Sequence, residues 1–181
     1  MGIRLAVARI HVPQSVRKRR LDRLLQETAA AFGTPAPATA RLDAGECLEL
    51  FARFTREHAE AVLRRGDTSD THVRLFENAR RMGTQLRSEF KVGSLRDMMR
   101  LASLVYKLIG IDFRGEPDGN ITIGRCYFSS CYSGDVCRLI SSLDAGLLAG
   151  LVGGGRLVFS ERITEGGCCC RAHLDVEEEP V

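Results

Sequence analysis

The chain has 181 residues, of which 44% are hydrophobic and 27% charged, with a net charge of +3. That length suits one domain with an added helical layer, and the composition excludes wholesale disorder. There is no tryptophan, so a core has to be built from Leu, Val, Ile, Phe and Ala.

The first segment, 3–12 (IRLAVARIHV), reads as a short strand or extended arm. It is not an apolar signal core followed by a small-residue cleavage site, so the expected location is cytoplasmic. Pro13 and Ser15 open a helix that runs to Phe32, with Gly33 as its stop. Its basic run, Arg17-Lys18-Arg19-Arg20, has no interleaved aromatics for base stacking. The run therefore reads as a solvated helix face, and no nucleic-acid partner is expected. Residues 34–39 (TPAPAT) form a linker, because two prolines cannot continue a helix.

A second helix is expected from about Ala44 to Arg65, ended by Gly66. Cys47, Leu50, Phe51, Phe54, His58, Ala61 and Val62 share its apolar face. His58 on that stripe is read as a packed, hydrogen-bonded histidine, with a ligand or base role as the alternative. The polar turn Asp67-Thr68-Ser69-Asp70 offers capping groups for a third helix, Thr71 to about Phe90. Its buried stripe is expected at Val73, Phe76, Ala79, Met82 or Gly83, Leu86 and Phe90, with His72 exposed. Ser94 caps a fourth helix that Gly110 ends, and the short polar connections suggest an antiparallel helical hairpin.

After Gly110 the period changes. Residues 111–114 read as a strand, 116–120 as a turn, and 121–128 as the returning strand of a hairpin. A helix is expected from Asp135 to about Leu151, stopped by Gly153-Gly154-Gly155. Its apolar run, 143–152, is too short to span a bilayer and contains Asp144, so no membrane span is expected. The glycine run follows a helix and no Gly-Lys-Ser/Thr follows it, so it is not a phosphate loop. Strands 156–163 and 168–174 complete the pattern, before the acidic residues Glu177-Glu178-Glu179. The fold class is therefore α+β, a helical layer on a small antiparallel sheet. It is organised as one domain over 1–181: a helical half (1–110), a strand-strand-helix-strand-strand half (111–175) and an acidic tail (176–181).

Six of the seven cysteines lie between Cys126 and Cys170. In a reducing compartment they are thiols, metal ligands or catalytic groups before they are a disulfide framework. On one continuous helix, Cys137, Ser141 and Asp144 share a face. A carboxylate among apolar neighbours needs a partner or a shifted pKa, and Arg125, Arg138, Arg156 and Arg162 are nearby in sequence. Two readings stand: an Asp–Arg pair that seats the helix on the sheet, or a thiol and carboxylate lining a small pocket. A nucleophilic thiol needs access and a depressed pKa, and Cys137 lies in the first turn of its helix, where the dipole favours thiolate. In the strands, alternation groups Phe159 with Glu161, and Cys168 with Cys170 opposite Cys169. Cys137, Glu161 and Cys168 or Cys170 would converge as mixed Cys/Glu ligands suited to zinc. The alternative is a set of reduced thiols filling a tight sheet.

The stretches CYFSS, VCRLISSLD and FSERITEGGCCCRAHL resemble the ending of the L-2-amino-thiazoline-4-carboxylic acid hydrolase family. They also resemble V4R small-molecule-binding domains, which set a helical layer on a small antiparallel sheet. The hydrolase resemblance implies cleavage of a cyclic amidine- or amide-type C–N bond. In that reading Cys137 or Cys126 is the nucleophile or ligand, and Asp144 the base or orienter. Arg162 or Arg171 anchors a substrate carboxylate, with Ser141 beside it. The V4R resemblance implies a non-enzymatic ligand-binding or sensor protein whose cofactor is none or zinc, the metal being held by Cys137, Glu161, Cys168 and Cys170. The expected partner is a small-molecule ligand or substrate. A third reading makes the helical half a homodimer surface.

Overall fold

Gly33 and Gly66 end two helices by taking left-handed backbone that L-residues with a Cβ adopt at a cost. They close α1 (Gln14–Phe32) and α2 (Ala44–Arg65) in the computed structural model, which describes residues 13–176. The arm expected at 3–12 and the residues Glu177-Glu178-Glu179 lie outside the described residues. Asp43 caps α2 in a full capping box, its carboxylate accepting from the Gly45 and Glu46 N–H groups while the Glu46 carboxylate accepts from the Asp43 N–H. α3 (Ser69–Phe90) and α4 (Leu95–Leu108) follow, the second capped by the Ser94 hydroxyl. Thr68, by contrast, makes no side-chain cap bond to α3.

The C-terminal half runs β1 (Ile111–Gly115), β2 (Asn120–Cys126), a 3-10 turn (Tyr127–Ser130), α5 (Gly134–Ile140), α6 (Ser142–Val152), β3 (Arg156–Glu161), a second 3-10 turn (Ile163–Glu165) and β4 (Cys170–Asp175). The fold is α+β, as its sequence implies. The strands form one antiparallel sheet in the order β1-β2-β4-β3. Ile111, Phe113, Ile121, Ile123, Ala172 and Leu174 point into the core, while Asp112, Arg114, Arg171 and His173 face outward. That alternation leaves one sheet face polar and wet.

Three local differences from the sequence pattern shape the site. The helix expected over 135–151 is two helices. α5 ends at Ile140, and Ser141 turns its hydroxyl back to the Arg138 carbonyl at 2.9 Å, a local bond that competes with the helical ladder. A β-bulge between Phe159 and Glu161 pairs Phe159 with Ala172 but Glu161 with Arg171. One extra residue reverses the alternation, so Glu161 leaves the face that Phe159 occupies. β4 begins only at Cys170, so Cys168 and Cys169 sit in a bend and do not alternate as strand residues.

The helical half differs too. α3 packs chiefly on α6 and α1, so its main partner is not a sequence neighbour in a hairpin. Its buried face is Thr71, Leu75, Ala79, Gly83 and Leu86, which leaves Val73 62% exposed. Glycines explain the choice of partner. A Cβ at Gly83 would strike the Leu147 carbonyl, one at Gly146 the Phe76 carbonyl, and one at Gly150 the Arg80 carbonyl. Bare backbone on both helices lets their axes approach as no larger side chain would allow. Leu50, Ala61 and His58 on α2 are only half-buried. His58 Nδ1–H donates at 2.9 Å to the Phe54 carbonyl and the ring lies against the Phe54 and Phe32 rings, a packed histidine.

Candidate functional site: an apolar cavity with a buried carboxylate

The layer of α1, α3 and α4 does not close fully on α6 and the sheet. A cavity of about 220 Å³ remains, walled almost entirely by aliphatic and aromatic side chains such as Leu24, Leu86, Phe90, Leu104 and Leu147. Cys126, Cys137, Ser141 and Asp144 all line it, joined by Tyr106 and Tyr132. The Ser141 break turns α6 so that Leu143, Asp144 and Leu147 present themselves to this space.

Arg20 and Arg23 stand at the outer end, in exposed bonds that tie α1 to Glu89 and Gln85 of α3. Asp144 lines the cavity and is half-buried. Desolvation pushes its pKa up to about 6; the hydrogen bond from Tyr106 and the charge of Arg162 pull the other way but only in part. The Tyr106 hydroxyl donates to Asp144 Oδ1 at 2.8 Å, and its ring stacks on Phe113 at 4.6 Å, which fixes the donor. Tyr106 itself is held far above its usual range by burial and by that carboxylate. Sequence reading did not single out Tyr106. Its place on the inward face of α4, two residues before that helix ends, was the only signal.

The thiols divide. Burial drives the Cys126 thiol up to about 12, with the Asp144 charge adding to the effect. A thiol so disposed is protonated at neutral pH and unsuited to nucleophilic attack. Cys137 lies at 3.9 Å from an Arg162 N–H, and the same guanidinium donates to Ser141 Oγ at 3.2 Å. Arg162 is further held by stacking over the Phe159 ring at 3.9 Å. Cys170 faces the core, where its sulfur accepts the Ile163 N–H at 3.4 Å, and burial raises its pKa.

The outward thiols form a second, separate group. Glu161, Cys168 and Cys169 offer three ligand atoms within 4.8 Å of one another. Cys168 Sγ is 3.9 Å from Cys169 Sγ and 4.0 Å from Glu161 Oε1. The other Glu161 oxygen accepts from Arg171 Nε at 3.1 Å. The structure thus brings Glu161 and Cys168 together but adds Cys169, while Cys137 and Cys170 are not in this group. The bulge and the late start of β4 are the cause. Arg171 is spent on Glu161 outside the sheet, whereas Arg162 reaches the cavity wall through Ser141 and Cys137. Among the described residues no helix is long and apolar enough to cross a membrane.

No protein-family model matches the chain, and no curated protein matches it.

Proposed function

We propose that the protein binds a small, mainly apolar molecule carrying one hydrogen-bond donor. The observation that carries this reading is the cavity: apolar walls, and one buried carboxylate already oriented by Tyr106. Ligand pockets characteristically combine an apolar lining with a few placed polar groups. An apolar body displaces water from the walls, and a ligand hydroxyl or ammonium donates to Asp144. A series of alkanes, alcohols and amines of equal carbon number tests this by thermal shift and calorimetry. Alcohols or amines should bind saturably and alkanes more weakly. Leu147→Trp, which fills the space, should abolish binding while leaving the circular dichroism spectrum intact. Saturable binding that survives Leu147→Trp, or no binding by any member, sinks the proposal.

In the V4R-type version of this reading the protein is a sensor with a Cys/Glu zinc site. The donor set fits at Glu161, Cys168 and Cys169. Two thiolates at 2.3 Å from a tetrahedral zinc stand about 3.8 Å apart, close to the 3.9 Å seen between these sulfurs. Metal analysis of Cys168→Ser and Cys169→Ser should show lost zinc, and Cys137→Ser should not.

A hydrolase acting on a cyclic, thiazoline-like C–N bond is the second reading. It is favoured by Asp144, whose pKa of about 6 suits a general base near neutral pH. Asp144 would activate water or the Cys137 thiol, with Arg162 anchoring a carboxylate. Turnover of an aminothiazoline carboxylate, lost in both Asp144→Asn and Cys137→Ser, is the expected outcome. Unchanged turnover in Asp144→Asn removes this mechanism.

A further inference from the structure

Ser141 has a second side. Away from the apolar cavity it lines a separate recess of about 270 Å³ between α3, the α5–α6 break and β3. Arg138, Arg156 and Arg162 converge there from three different segments, with His72, Ser141 and Ser142 between them. No Asp or Glu lines the recess.

The cations are held in different ways. Arg138 pairs with Asp135 and Glu165 beyond the recess. Arg162 is 4.0 Å from Glu165, is 13% exposed, and is fixed by the Phe159 ring and the Ser141 hydroxyl. Arg156 is exposed and has no ion pair among the described residues. His72 Nδ1 is engaged with Ser142 Oγ at 2.7 Å. Ser142 is also the first residue of α6. Asp135 and Glu165 already answer the charges of Arg138 and Arg162, so Arg156 carries the charge left unanswered at the recess. An arginine fork matches the oxygens of an anion placed there.

We propose that this recess is a binding site for a phosphate group, either inorganic phosphate or the phosphate of a small phosphomonoester. Phosphate is favoured over carboxylate because it carries up to two charges and three acceptor oxygens, so it pairs with Arg156 and competes with Glu165 for Arg138 and Arg162. The recess lies on the other side of Ser141 from the apolar cavity and shares that residue with it.

Calorimetric titration at constant ionic strength, with inorganic phosphate, glycerol phosphate and acetate, tests the assignment. Phosphate or its ester should bind saturably and at least about tenfold more tightly than acetate, since charge-assisted pairs to a dianion are the stronger ones. If glycerol phosphate binds more tightly than phosphate, an esterified phosphate is the natural ligand class; the reverse order identifies the free ion. Arg156→Gln, an exposed position that leaves the fold intact, should weaken binding about fivefold or more. Arg114→Gln, an exposed arginine on β1 outside the recess, should leave it unchanged. Equal loss in both variants, acetate binding as tightly as phosphate, or no saturation by either phosphate overturns the proposal.

Discussion

Cys168 and Cys170 are two residues apart, yet they belong to different chemical environments. Cys170, with Cys126 and Cys137, faces the interior, where Asp144 is also confined. Cys168 is exposed beside Glu161 on the outer rim of the sheet. Cys169 lies between the two cases. It is buried, and its sulfur is 3.9 Å from that of Cys168. Its thiol is raised by that local desolvation first and by the Cys168 contact second. The comparison teaches that burial, more than residue type, decides which thiols and carboxylates ionise.

The largest effect tests the interior. Folded Asp144 keeps its proton up to about pH 6, while the unfolded chain releases it near 4. The folded state therefore binds more protons across that window, so stability falls as pH rises through it and is level above. Asp144→Asn keeps an acceptor for Tyr106 and removes the charge. Urea denaturation should find it about 3 kcal/mol more stable than the native protein near pH 8, the difference vanishing near pH 3. A difference that does not change with pH would mean that Asp144 ionises without penalty and would erase the contrast.

Thiol alkylation tests both regions together. Near pH 8, Cys168 should react at least about a hundredfold faster than Cys126, because only the thiolate attacks and Cys126 is both protonated and enclosed. Mass spectrometry of partially alkylated protein reads the order, and comparable rates would break the division. A smaller effect is expected from Tyr106→Phe, which removes the donor that favours ionised Asp144. It should cost about 1–2 kcal/mol near pH 8 and move the pH-dependent window upward. The smallest is Arg171→Gln. Its ion pair with Glu161 is 61% exposed on the arginine side, so the loss should stay under about 1 kcal/mol by denaturant unfolding.

The elements most legible in the sequence are those fixed by local chemistry. Gly33 and Gly66 mark helix ends because left-handed backbone is a property of the residue itself, and the Ser94 cap and the β1–β2 hairpin are equally local. Cys137, Ser141 and Asp144 do line one cavity, although the uninterrupted helix that suggested it is broken at Ser141. What escaped was set by contacts distant in sequence. The crossing of Gly83 with Gly146 and Gly150 is marked only by small residues four apart, not by apolar periodicity, so the expected α3 face wrongly included Val73. The bulge before Glu161 depends on the register of β3 against β4, and it alone decides that Glu161 joins Arg171. The cavity itself is a gap between Leu24, Phe90 and Leu147, residues that no local pattern brings together.

The glycine crossing also sets the mechanics of the cavity. Where α3 meets α6, main chain rests on main chain, so those two walls behave as a stiff frame. No rotamer change can widen the space between them. α1, in contrast, is tied across the opening to α3 by the side-chain bonds Arg20–Glu89 and Arg23–Gln85, and exposed ties of that kind are weak. Leu21 and Leu25 nonetheless seat α1 in the core, so the width of the cavity is set on one side by side-chain packing and on the other by two backbones in contact.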